Sequence, residues 1–209
     1  QAPFLQPATF WGTGPHDRAS TGVYHTCAVL SVGQPIKCQG DDWSTANCCS
    51  MLGSPISPPP GYSNVPTDVK WFLTSNATTT GPIVDAKSIS MGSGFGCAIT
   101  YSNNVRCWGT GWSAHGFVPT APSVPLTGVS FIATGHQDAC AIASGQLYCW
   151  GANAGGQLGN NSNLDSPVPV RVHGVTAGVT AISVGSDSPS CAVINGGAQC
   201  WGGGDDGER

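Results

Sequence analysis

Apolar residues in this chain come in short clusters, each followed within a few positions by a turn signal. Ala28-Val29-Leu30 precedes Ser31-Val-Gly33-Gln-Pro35, and Ala98-Ile99 precedes Ser102-Asn-Asn104. Ala141-Ile142 precedes Ser144-Gly145, and Ala192-Val193 precedes Asn195-Gly-Gly197. Short apolar strands bracketing Gly, Asn and Pro turns predict antiparallel hairpins with one face toward a core. No stretch repeats apolar residues at i, i+3, i+4 and i+7, so helices are not expected. No apolar run approaches the ~18 residues of a membrane span.

The hairpins are parts of a longer repeated unit. Gly22-Val-Tyr-His-Thr-Cys27-Ala, Gly92-Ser-Gly-Phe-Gly-Cys97-Ala, Gly135-His-Gln-Asp-Ala-Cys140-Ala and Gly185 with Cys191-Ala each lead to a second cysteine. That second cysteine is followed by Gln39-Gly40, Trp108-Gly109, Trp150-Gly151 and Trp201-Gly202. One such unit cannot bury its own apolar face and must stack on copies of itself. Composition agrees: 30 glycines, 16 prolines and only 9% charged residues suit many short strands joined by tight turns. Seven scattered Lys and Arg at a net charge of −4 provide no phosphate-tracking surface, so a nucleic-acid partner is not expected.

Ten cysteines sharpen this picture. Eight form four pairs with 10, 9, 8 and 8 residues between partners. Cysteines equidistant from a turn sit opposite each other on neighbouring strands, within disulfide reach. The expected bridges are Cys27–Cys38, Cys97–Cys107, Cys140–Cys149 and Cys191–Cys200. Zinc is the competing explanation and fails, because there is no Cys-x-x-Cys and no His at a recurring ligand offset. Neither a metal nor a cofactor is expected. Each bridge closes a loop of about ten residues, stabilising its hairpin by roughly 2–3 kcal/mol in the chain-entropy model. The remaining Cys48 and Cys49 are adjacent; either they bond each other or each reaches elsewhere, the vicinal bond being the economical choice.

The bridges place the chain in an oxidising compartment. Gln1 in place of an initiator Met reads as a mature chain freed of its signal peptide, or as a fragment of a longer protein. The sequons Asn76-Ala-Thr78 and Asn160-Asn-Ser162 fit a secretory route and are the expected glycosylation sites. The expected location is secreted, extracellular.

Cys149-Trp-Gly-Ala-Asn-Ala-Gly-Gly-Gln-Leu-Gly159, and after it His25-Thr-Cys-Ala28, resemble the repeat of the regulator of chromosome condensation family. Blades of that family carry a Gly-rich strand, a His-x-Ala-Leu-like strand and a Trp-Gly turn followed by Asn and Gly-Gln-Leu-Gly. The resemblance implies an all-β β-propeller, with four-stranded blades around a central channel. The expected organisation is a single domain over 1–209 of about four antiparallel blades. Its repeats lie near 8–40, 87–109, 128–159 and 178–202, with an irregular insertion at 41–86. Nuclear members of the family exchange nucleotide on a small GTPase and bind nucleosomes. An acidic, disulfide-bonded chain departs from them and is more similar to secreted, cysteine-bearing versions of the repeat. Among those, a bacterial inhibitor of β-lactamase grips another protein with loops on one face. Phe10-Trp-Gly-Thr-Gly14 matches Cys107-Trp-Gly-Thr-Gly111, so the N-terminal strand is expected to complete the last blade of a closed ring or to pair with another molecule.

Candidate chemistry is sparse. His16-Asp-Arg18 has no nucleophile motif beside it, and His136 precedes a Cys140 whose bridge would forbid a thiolate. Asp41-Asp42 and Asp205-Asp206 with Glu208 match no calcium loop and read as solvated turns. No catalytic residue is assigned. The insertion carries Cys48-Cys49, Pro58-Pro59-Pro60, Asn76 and a strand around Val69–Leu73, and long loops of this kind are commonly functional. Trp43, Trp71 and Trp112 lie outside the repeated Trp-Gly position and, with Tyr62, are the candidate binding surface. The expected function is a non-enzymatic structural or protein-interaction module, a subunit of a glycoprotein assembly. Its partner would be another protein or its own copies, by edge-strand pairing. A carbohydrate-binding lectin and an inhibitor-type propeller gripping another protein through its loops are the alternatives.

Overall fold

The computed structural model describes residues 19–23, 25–31, 33–42, 61–72, 79–109, 126–185 and 189–203, without the side chains of 41–42, 61–67, 70–72 and 79–80. All regular structure among them is β, and no helix is long and apolar enough to cross a membrane. The first blade is β1 (Ala19–Thr21), β2 (His25–Ala28), β3 (Lys37–Asp42) and β4 (Gly61–Asp68), paired in that order. A separate two-stranded sheet, β5 (Lys70–Phe72) with β6 (Thr79–Pro82), follows it. The second blade has β7 (Ala86–Met91), β8 (Phe95–Thr100) and β9 (Val105–Gly109). The third has β10 (Val129–Thr134), β11 (Asp138–Ala143), β12 (Gln146–Gly151) and β13 (Ser166–Arg171). The fourth has β14 (Val179–Ser183), β15 (Ser190–Ile194) and β16 (Gly197–Trp201). Four successive antiparallel blades make a propeller-like array, and every pairing within them is antiparallel.

The stretch 41–86 holds more regular structure than its composition foretells. β4 supplies the outer strand of the first blade, in register Lys37↔Asp68 and Cys38↔Thr67, with a bulge before Gly40↔Ser63. Pro66 falls inside that bulge on an outermost strand, where no ladder bond is required of it.

Alternation along each hairpin gives a blade two unlike faces. In the second blade Phe95, Cys97, Ile99, Val105 and Cys107 pack forward on Val129, Ile132, Ala139, Ala141 and Trp150 of the third. Its Met91, Ala98 and Trp108 pack backward on Cys27, Val29, Ile36 and Cys38 of the first. Cys140, Ile142, Leu147 and Cys149 of the third blade face Val179, Ile182, Ala192 and Ile194 of the fourth. The cysteine face of one blade therefore meets the alanine–tryptophan face of the next.

The inner strands hold these layers at a fixed spacing. Met91 N donates to Ser20 Oγ and Thr134 N to Ser90 Oγ, both at 3.1 Å. The repeated glycines pack backbone on backbone. A Cβ on Gly22 would stand 2.2 Å from the Gly92 carbonyl oxygen, one on Gly92 2.4 Å from that of Gly135, and one on Gly135 2.6 Å from that of Gly185. Gly92→Ala and Gly135→Ala should each cost about 1–3 kcal/mol, because backbone has to move to admit the methyl. Thermal unfolding of the oxidised chain should show a Tm lowered by about 2–4 °C per kcal/mol. Gly197→Ala, whose Cβ would meet only the Ile194 carbonyl oxygen at 3.7 Å, should leave Tm nearly unchanged.

Candidate interaction surface

Four cysteine pairs, in the directly opposed register positions of their hairpins, are bonded: Cys27–Cys38, Cys97–Cys107, Cys140–Cys149 and Cys191–Cys200, with Cα atoms 4.0–4.1 Å apart. The first three lie between blades and are at most 2% exposed. In the fourth, Cys200 is exposed and Cys191 half-buried. The reason is positional. Ser183, Cys191, Val193, Ala198 and Cys200 stand at the register positions of Ser90, Cys97, Ile99, Val105 and Cys107, which a following blade covers. Among the described residues nothing covers the fourth blade's copy of this face, and no strand pairs with the outer edge of β16. This face and edge form the candidate interaction surface.

The opposite end of the array differs in kind. Trp108, Trp150 and Trp201 occupy one register position of the third strand, opposite Gly96, Ala139 and Ser190, and Gln39 holds that position opposite Thr26 in the first blade. A polar amide thus stands on the rear face of the first blade, where its successors carry an indole.

The other residues singled out by sequence are scattered. Cys48, Cys49, Trp43, Trp112 and Asn76 lie outside the described residues, as do the side chains of Tyr62 and Trp71, whose backbones lie in β4 and β5. Asn160 is half-buried in the turn after β12, its Oδ1 accepting from Asn153 Nδ2 and Ser162 N, both at 3.2 Å. Sequence reasoning did not weigh Asn153, the hub of that turn. It is fully buried; its Nδ2 also donates to the carbonyls of Ser162 (2.7 Å) and Leu164 (3.0 Å), and its Oδ1 accepts from Leu158 N (2.9 Å). Its place in Trp-Gly-Ala-Asn was the available signal.

Two buried ionisable groups were also missed. His25 and Asp138 hold equivalent positions, opposite Gly40 and Gly151, and both are 3% exposed. Burial pushes the His25 imidazole down to about 4. Burial pushes the Asp138 carboxyl up to about 7, against the opposing pull of the backbone N–H groups of Gln137 and Asp138 itself. Cys140, beside His136 in sequence, is bonded to Cys149 and offers no thiolate. Among the described residues no three His, Cys, Asp or Glu converge on a metal-sized site.

Comparison with known proteins finds the same repeat and fold elsewhere. Models described as "Regulator of chromosome condensation (RCC1) repeat" match residues 144–191 and 86–116. Yeast RCC1 (Prp20), solved bound to Kap60, superposes with a TM-score of 0.64 at 18% identity, over 88% of this chain and 43% of that one. The chain is a relative of the RCC1-repeat β-propellers. The CRINKLY WD40 ectodomain of the Arabidopsis thaliana receptor kinase ACR4 superposes with a TM-score of 0.50 at 19% identity, over 88% of this chain and 49% of that one. "Ras guanine nucleotide exchange factor C" of Dictyostelium discoideum is 33% identical over 85 residues, which is 40% of this chain and 6% of that protein. The chain thus spans less than half the length of these solved propellers, and a small part of the curated relative.

Two outcomes follow from burial. Mild reduction with alkylation should label Cys191 and Cys200 before the six cysteines of the other three bridges, which should react only after denaturation, as peptide mapping would read. The acidic and basic limbs of stability should separate in a variant. With its folded value above the ordinary ~3.9 of Asp, Asp138 stabilises the fold at low pH and loses that contribution as pH rises from about 4 to about 7. His25, held below its usual value, removes stability as pH falls from about 6.5 to about 4. Asp138→Asn keeps an oxygen acceptor for the two N–H groups; its Tm should exceed wild type at pH 8 and match it at pH 4.

Proposed function

We propose that this chain is an extracellular, non-enzymatic interaction module that docks another protein, or its own copies, on the uncovered face and edge of the fourth blade. The observation that carries the reading is the exposure of Cys200 on a face whose three counterparts are buried between blades. Among the described residues no strand pairs with the β16 edge beside it, and such an edge offers backbone N–H and C=O groups to a partner strand. The scaffold suits the role, since RCC1-repeat propellers mostly serve as interaction modules and yeast RCC1 is solved in complex with Kap60. Four disulfides support an oxidising, secreted location. So does the use of a similar fold in a plant receptor ectodomain. Asn76 and Asn160 are the N-glycan positions in this reading.

Light scattering coupled to size exclusion, on the oxidised and glycosylated protein, tests it. A mass above one chain plus glycans, reduced to one chain by Val193→Glu with Tm retained, is the expected result for self-association. For a heterologous partner, pull-down with wild type should recover a protein that Val193→Glu does not. A strictly monomeric chain that captures nothing, or capture indifferent to Val193→Glu, overturns the proposal.

A further inference from the structure

The junction of the third and fourth blades encloses a cleft of about 440 Å³, within the ~300–1,000 Å³ of small-ligand sites. One wall is the turn 155–163, the floor lies beyond β13 at Val172 and His173, and the far wall is the end of β16. Among the described residues no Asp, Glu, Lys or Arg lines it, so beyond the His173 imidazole a phosphate would meet no cationic side chain there. Its polar side chains among the described residues are Asn161, Ser162, Asn163, Gln199 and His173, three amides, a hydroxyl and an imidazole that each both donate and accept. An apolar ligand would leave those groups desolvated and unpaired.

Trp201 supplies the remaining element. Trp108 and Trp150, at the same register position, are 1% and 0% exposed, whereas Trp201 is half-buried and opens onto the cleft. Its indole is fixed by Nε1 donating to the Gln157 carbonyl oxygen at 2.8 Å. The facing turn is equally rigid, because buried Asn153 ties Leu158, Asn160, Ser162 and Leu164 together. A preformed cleft loses little conformational freedom on binding. Its chemistry fits an uncharged ligand whose hydroxyls donate and accept, and whose C–H face can lie on an indole. We propose that this cleft binds a neutral saccharide of one or two rings. It uses Gln199 and Trp201 rather than Val193, so it and the protein-docking face can fail separately.

The disulfide-bonded chain, made without N-glycans so that no sugar on Asn160 stands beside the cleft, would be titrated with N-acetylglucosamine, galactose, mannose, cellobiose and chitobiose. Tryptophan fluorescence and the backbone amide signals of 155–163 are the readouts. At least one sugar should bind saturably at millimolar concentration or below. Asn161→Gly, which suits the left-handed backbone there (φ 58°), and Gln199→Ala should each weaken it about tenfold, the loss of roughly one net hydrogen bond, with Tm nearly unchanged; inorganic phosphate should give no response. Silence toward the whole panel, binding that survives both substitutions, or an equal response to phosphate overturns the assignment.

Discussion

Backbone contact between successive glycines sets the distance at which blades stack. Gly22, Gly92 and Gly135 each lie so close to the next blade's glycine carbonyl that no side-chain carbon fits between them. At that separation the hydroxyls of Ser20 and Ser90 reach the amides of Met91 and Thr134 across the gap. It is also the separation at which the cysteine face of one blade packs on the alanine face of the next. The glycine before each Cys-Ala strand is therefore an inter-blade spacer.

Layers this thin are built mostly from Ala, Cys, Val and Ile, with the ring of Trp108 at one junction and those of Phe95 and Trp150 at the next. Small side chains bury little apolar area per residue, and burial scales with area. Cross-linking the central hairpin of every blade offsets that shortfall by restricting the unfolded chain. Hydrogen-bonded hubs contribute where the chain leaves the sheets, and Asn153 does so for the whole turn between β12 and β13.

Hairpins and bridges were legible because both are local: a turn midway between two cysteines fixes their register regardless of the rest of the fold. β4 was not, since Gly61-Tyr-Ser-Asn-Val-Pro-Thr-Asp68 has no apolar alternation and is a strand only through its pairing with β3. The divergence of Trp201 from Trp108 and Trp150 was equally hidden, because the three share a local Cys-Trp-Gly motif and differ in their surroundings. Buried His25 and Asp138 read in sequence as ordinary polar residues near turns. Their burial follows from the neighbouring blade, which a single repeat does not reveal.

Because the two faces of a blade are unlike, the array has a direction, running from the Gln39 end to the Cys200 end. Two copies meeting through the same face would set cysteine against cysteine, a packing found at none of the three junctions. Only head-to-tail contact reproduces the native layer. Such contact is heterologous: it closes if the rotation per blade returns to the start, and otherwise continues as a filament. The handedness of its layers thus confines any self-assembly that reuses native packing to rings or fibres, and denies it a simple face-to-face dimer.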